Sequence, residues 1–287
     1  MKQKRRNPIW YIACPLVIYL AISFFVQMAA QFVYTILNIP RISDINDYEE
    51  LWEVAYTIAA EILQYTTEIT AVTALAMLPI AIWMFLKDRK EDVTLGKVQT
   101  RKLPIGNYGV LIILGIAVCI GANNLITLSS ISSLSAYYET TIDYLYSSSF
   151  PVQLICIGII IPISEEFIMR GLVYKRMCNL MTQRRAMLWS ALIFGIMHGN
   201  LVQFIYAAGL GVLLAYIYES YGSLKAPAFA HIVLNLTSVF ATQFDVFTWI
   251  FYSPLRMAVV TILCAAVGAG MFVVIQRMKT TILQDLI

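Results

Sequence analysis

The chain has 287 residues, of which 60% are hydrophobic and 13% charged, about half the charged fraction of an ordinary soluble domain. That composition excludes a soluble globular enzyme and, by default, a nucleic-acid partner, because apolar runs of about 20 residues, enough to cross a bilayer, leave no room for a separate soluble domain. The net charge of +3 says little as a total; in a membrane protein the division of Lys and Arg between loops is what informs.

Eight apolar segments bounded by polar or turn-rich stretches are predicted as membrane helices, which makes the chain all-α and polytopic. The first runs from Ile9 to Leu37. The second covers Ile69 to Leu86, preceded by a helical stretch from Leu51 whose Glu53, Glu61 and Glu68 suit the membrane interface better than lipid. The third runs from Tyr108 to Ser129, the fourth from Phe150 to Tyr174, a short fifth from Ala186 to Asn200 and the sixth from Leu201 to Tyr218. Ala226 to Gln243 and Leu255 to Ile275 complete the set.

The loops between these segments are lopsided in charge. Lys2, Lys4, Arg5 and Arg6 precede the first; Lys87, Arg89, Lys90, Lys97, Arg101 and Lys102 follow the second; Lys175, Arg176, Arg184 and Arg185 follow the fourth; Lys225, Arg277 and Lys279 lie on the same side. Only Arg41 and Arg256 lie opposite, among Asp44, Asp47, Glu49, Glu50, Glu139, Asp143 and Asp245. Positive charge collects in the cytoplasm, so both termini are predicted there. A signal peptide is a poor reading of the first segment, which is long and ends without a small-residue cleavage site. Without a detectable repeat or long linker, residues 1–287 read as a single membrane domain, with the chemistry in about 150–243. The five cysteines lie mostly within apolar runs and read as buried hydrophobes, not as a disulfide framework.

Charge at bilayer depth is costly and points to function. The fourth segment contains Glu165, Glu166 and Arg170, with Glu165 about 14 Å from the cytoplasmic end at 1.5 Å per residue. Glu166 and Arg170, at i and i+4, share a helix face and can pair, whereas Glu165 is turned about 100° away and has no local cation. Pro162 can loosen the ladder just before them. A carboxylate withdrawn from bulk water is a better base for activating water. Both histidines of the chain also lie in apolar segments: His198 in the fifth, with Phe194 four residues before it, and His231 in the seventh, with Asn235 one turn later. An ion pair alone can serve packing, and a lone His usually makes an interhelical hydrogen bond. The joint occurrence favours convergence on one cavity, with Phe194, Met169 and Met197 read as packing and the Tyr and Trp near segment ends as an interfacial belt.

These residues form three spaced motifs, Glu165-Glu166-Phe-Ile-Met-Arg170, Phe194-Gly-Ile-Met-His198 and His231-Ile-Val-Leu-Asn235. In order and spacing they resemble the CAAX prenyl protease and bacteriocin-processing family of intramembrane proteases, also called the Abi family. The resemblance covers roughly Phe150 to Gln243; for the first three segments it implies only the eight-helix architecture. It implies peptide-bond hydrolysis within or beside the membrane, with Glu165 activating water, Glu166 as a supporting carboxylate paired with Arg170, and His198, His231 and Asn235 holding the water and stabilising the oxyanion. An Asn amide is a sensible neutral donor where negative charge develops. Zinc is open at this point: Glu165, His198 and His231 could form a three-ligand site, yet the chain has no His-Glu-x-x-His, and a metal-free, glutamate-activated water is the favoured reading. The expected partners are the lipid bilayer and a membrane-associated or lipidated protein or peptide, in a bacterial plasma membrane given the compact length and short loops. The sequence chooses neither the substrate nor an oligomeric state. Two other classes are a non-proteolytic scaffold or immunity-type binding protein on the same fold, which would be free to lose Glu165, and an ion-coupled transporter, against which the lack of an inverted repeat counts.

Overall fold

The computed structural model describes residues 7–43, 45–96, 103–131 and 136–284. Lys2, Lys4, Arg5, Arg6, Asp44, Lys97, Arg101 and Lys102, on which part of the loop-charge argument rests, lie outside the described residues. The described chain is helical throughout: α1 (Pro8–Leu37), α2 (Tyr48–Glu61), α3 (Thr66–Thr94), α4 (Gly109–Leu128), α5 (Ala136–Leu145), α6 (Phe150–Cys178), α7 (Gln183–Ile196), α8 (Leu201–Tyr221), α9 (Lys225–Gln243), α10 (Val246–Phe251) and α11 (Pro254–Gln284).

Local sequence fixes the helix ends. Asn7 caps α1 by accepting from the Ile9 and Trp10 amides, with Pro8 in the first helical position, where its missing N–H costs nothing. Asp47 does the same for α2 through the Glu49 and Glu50 amides. The end of α8 is set by Gly222, at φ +60°, in the left-handed region that only glycine enters cheaply. The helix predicted from Leu51 begins at Tyr48, and a single 3₁₀ turn, Ile62–Tyr65, joins it to α3. Two short helices, α5 and α10, lie where the sequence reading had only loops; neither is long enough for a periodic apolar pattern to stand out.

Six stretches are long and apolar enough to cross a membrane: α1, α2 with α3, Ile105–Leu128, α6, α8 and Pro254–Met278. This is a multi-pass membrane protein. The fifth and seventh predicted segments are present as α7 and α9 but fall outside that set. With 14 residues, α7 is about 21 Å long, short of the roughly 30 Å hydrocarbon core. In α9, His231, Asn235, Thr237, Ser238 and Thr242 interrupt the apolar run. The two helices that fall short as membrane spans are the two that lead to the histidines.

At the centre is α6, which packs against α1, α3, α7, α8 and α9, while α4 joins α9 to α11. The core along α6 contains Met77, Ala81, Leu172, Val173, Tyr174, Phe194 and Ala207. By contrast α1 and α11 expose large apolar side chains, among them Phe25, Phe32, Ile262 and Leu263, the flank expected of helices that face lipid. The end of α6 is anchored by Arg176, whose Nε donates to Asp88 Oδ2 on α3 at 2.6 Å and whose Nη1 donates to the Tyr11 carbonyl on α1 at 2.7 Å. Its guanidinium also lies 4.5 Å over the Tyr11 ring.

Removing one member of such a buried pair strands the other charge, at a cost of about 3–5 kcal/mol. Asp88→Ala is therefore expected to lower the stability of the detergent-purified protein by about 3 kcal/mol, read as a drop in its thermal unfolding midpoint.

Candidate active site

The continuity of α6 is broken twice. Residues Cys156–Ile160 and Phe167–Tyr174 are wound as π-helix, on either side of a short α segment, Ile161–Glu166. Widened turns of this kind arise where the ordinary i→i−4 ladder is interrupted and are frequent at functional sites. Pro162 is the interruption at the first of them, since it has no N–H to offer. Both carboxylates follow directly.

Glu166 and Arg170 pair as their spacing predicts, Nη1 to Oε1 at 2.7 Å, with side chains 0% and 2% exposed. Arg170 also donates from Nη2 to the Gly211 carbonyl on α8 at 3.1 Å, and the Phe194 ring lies 4.7 Å from its guanidinium carbon. Gly211 also lets α8 lie close to α7, because a Cβ there would come within 2.8 Å of the Ala191 backbone. Phe194, read as packing from sequence, roofs the cation and contributes a cation–π contact.

His231 reaches the same carboxylate oxygen, its Nδ1 lying 2.9 Å from Glu166 Oε1. A carboxylate that already accepts from Arg170 can only accept again, so Nδ1 carries the proton and Nε2 presents its lone pair in the neutral ring. Nε2 lies 3.7 Å from Glu165 Oε2. The two neighbouring glutamates thus differ as expected: Glu166 is sealed between Arg170 and His231, while the Glu165 side chain is 25% exposed and faces an accessible space. Glu166 Oε2 has no hydrogen-bond partner among the described residues.

His198 stands apart. Helix α7 ends at Ile196, the chain turns back through Gly199 at φ +77°, and Asn200 caps α8 by accepting from the Gln203 amide at 2.8 Å. His198 Nδ1 donates to the Phe194 carbonyl at 2.7 Å. The Phe194 ring contacts both imidazoles edge-on, with centroids 4.8 Å from His198 and 6.0 Å from His231. Both histidines therefore touch one aromatic ring, and His198 has no direct contact with Glu165 among the described hydrogen bonds.

Asn235 is the second surprise. Its Nδ2 donates to the Ile157 carbonyl in the first π turn at 2.8 Å, so one amide hydrogen is committed to backbone. Two residues missed from sequence lie beside the site: Tyr19 on α1 and Tyr206 on α8 both pack against the core along α6, and Tyr206 lies 6.5 Å from His198. No spacing sets them apart among 17 tyrosines.

The donors suggested for zinc do not form one ligand set. Glu165 and His231 are close, and His198 has its Nδ1 engaged by the Phe194 carbonyl. Among the described residues no three His, Cys, Asp or Glu side chains are gathered at metal-binding spacing.

Comparison with known proteins agrees with the three motifs. Residues 147–237 match the family described as Rce1-like, type II CAAX prenyl endopeptidase. The chain is also 31% identical over 85 residues to the Bacillus subtilis (strain 168) protein named "Putative membrane peptidase YdiL", covering 30% of this chain and 35% of that one. The chain thus matches about a third of the length of that relative. No solved structure matches significantly. The motif-bearing part of the chain is thus similar to the CAAX prenyl endopeptidase family.

Stability separates the two glutamates. Arg170→Ala strands Glu166 in a sealed site and is expected to cost about 3–5 kcal/mol, whereas Glu165→Gln, at a partly open position, is expected to cost less than about 1 kcal/mol. Thermal unfolding of the two variants in the same detergent measures the contrast.

Proposed function

We propose that this protein is an intramembrane endopeptidase that hydrolyses a peptide bond of a membrane-associated or lipidated protein or peptide. The observation that carries the reading is the pairing of an accessible carboxylate, Glu165, with a histidine nitrogen 3.7 Å away, the histidine being held in one tautomer by a fully buried ion pair.

The chemistry follows from that tautomer. A water between Glu165 Oε2 and His231 Nε2 can donate one hydrogen to each acceptor, which turns an oxygen lone pair outward. Glu165 takes the proton as the oxygen attacks the scissile carbonyl, and the same proton passes to the departing nitrogen as the C–N bond breaks. Glu166, already balanced by Arg170, keeps His231 oriented and stabilises the ring if it gains charge, the part a buried carboxylate plays in a hydrolytic triad. His198, whose Nδ1 donates to the Phe194 carbonyl, can offer the oxyanion a hydrogen from Nε2 when its ring is protonated. No step is routed through a metal. The motif-bearing core, about 150–243, works in a chain with both termini in the cytoplasm of a bacterial cell and the site opening to that side.

The test compares membrane peptidomes of cells carrying wild type, Glu165→Gln and a deletion, at matched expression. Loss of a general base costs about 10²–10⁴-fold in rate, so cleavage products are expected to vanish in Glu165→Gln as in the deletion. Products that persist at the wild-type level with Glu165→Gln would overturn the reading and hand the fold to a scaffold role.

A further inference from the structure

The first π turn of α6 leaves one backbone acceptor without a backbone donor. The Ile161 amide reaches back five residues to the Cys156 carbonyl. In the same register the donor for the next carbonyl, Ile157, would be residue 162, which is proline and has no N–H. An α-type bond to Ile157 would need the Ile161 amide, which is already used. A buried carbonyl left unpaired is destabilising, and the side chain that meets this one is Asn235, with Nδ2 at 2.8 Å.

We propose that Asn235 is a positioning residue that caps the Ile157 carbonyl orphaned by Pro162 and thereby holds the widened turn that aims Glu165. Three observations converge on this. Gly158, the next residue, lets α9 come close, since a Cβ there would meet the Leu236 side chain. Helix α9 also grips α6 at a second point, His231 on Glu166, so the two bonds bracket Glu165 on the sequence of α6. And the short α segment between the π turns, Ile161–Glu166, contains both carboxylates, so its rotation relative to α9 decides whether Glu165 faces His231 Nε2. The role differs from donation to an oxyanion, because the group Asn235 satisfies belongs to the protein's own backbone.

A double-mutant cycle on the full chain separates the two roles. Pro162→Ala restores an N–H at residue 162 that can serve Ile157 itself. Asn235→Ala alone is expected to lower the unfolding midpoint of the detergent-purified protein by roughly 5 °C and to cut cleavage products in the membrane peptidome at least about tenfold. In the Pro162→Ala background the same substitution should lose less than half as much in both readouts. Hydrogen exchange of the 156–166 backbone should quicken in Asn235→Ala and return towards wild type in the double variant. If Asn235→Ala does not fold, Asn235→Ser is the milder probe, with the same expected signs.

The activity readout rests on the peptidase reading; the unfolding and exchange readouts do not, so absence of any wild-type cleavage counts against that reading alone. Unchanged midpoint and exchange in Asn235→Ala would overturn the proposal. So would a midpoint rescued by Pro162→Ala while cleavage stays as low as in Asn235→Ala, because that pattern makes Asn235 a group that acts on substrate.

Discussion

One carboxylate oxygen organises the centre of this protein. Glu166 Oε1 accepts from Arg170 on its own helix and from His231 on α9, and Arg170 passes the connection to the α8 backbone at Gly211. A full charge at zero exposure is tolerable only when paired and hydrogen-bonded, so three helices are obliged to meet at this point. Phe194 closes the remaining face of the guanidinium from α7. The interaction does two jobs with one set of atoms: it makes a buried charge bearable and it fixes which nitrogen of His231 faces Glu165. A hydrophobic replacement could pack the same space, but it could not choose the tautomer.

The two π turns explain how adjacent residues in one helix come to live in different surroundings. In an unbroken α-helix Glu165 and Glu166 are separated by about 100°, which suffices to place one inward and one towards an opening. The widened turns allow the segment between them to settle against α9 without strain on the rest of α6. Pro162 produces the first turn by subtraction of a hydrogen bond, and α9 supplies the missing donor from a side chain. The motif His231-x-x-x-Asn235 is then a spacing between two grips on α6, as well as a spacing between two polar groups near a reacting bond.

Much of this was legible in the sequence. The i, i+4 relation of Glu166 and Arg170 gave the ion pair outright, and the offset of Glu165 gave the separate task. Apolar runs bounded by polar stretches located eight helical segments, six of them within stretches long and apolar enough to cross a membrane, because hydrocarbon allows the backbone little choice but a helix. What could not be read were distances set by tertiary packing. His198 and His231 look equivalent as lone histidines in apolar runs, yet among the described hydrogen bonds and ion pairs only His231 meets the glutamates, while His198, in the turn after α7, is tied to the Phe194 carbonyl. Asn235 looked like a free amide because the carbonyl it serves is orphaned 78 residues earlier in the chain. Tyr19 and Tyr206 gave no signal at all, being aromatic residues in apolar helices where aromatic residues are ordinary.

The two helices that fall short as membrane spans carry a physical lesson about hydrolysis in a bilayer. A reaction that consumes water needs polar groups where lipid would exclude them, and those groups lower the hydropathy of whichever helix bears them. In α9 two of the residues that spoil the apolar run, His231 and Asn235, face α6 and its broken ladder. In α7 the cost is taken in length: a helix of about 21 Å is shorter than the roughly 30 Å hydrocarbon core, and after its polar turn α8 begins at once, capped by Asn200. Lipid-facing duty falls instead to α1 and α11, which carry no motif and bury little of themselves. The division between helices that satisfy the bilayer and helices that defy it coincides in part with the division between frame and site, α6 belonging to both. That coincidence follows from desolvation energetics, since a polar side chain survives at this depth only if other protein groups, or water that the protein admits, complete its hydrogen bonds.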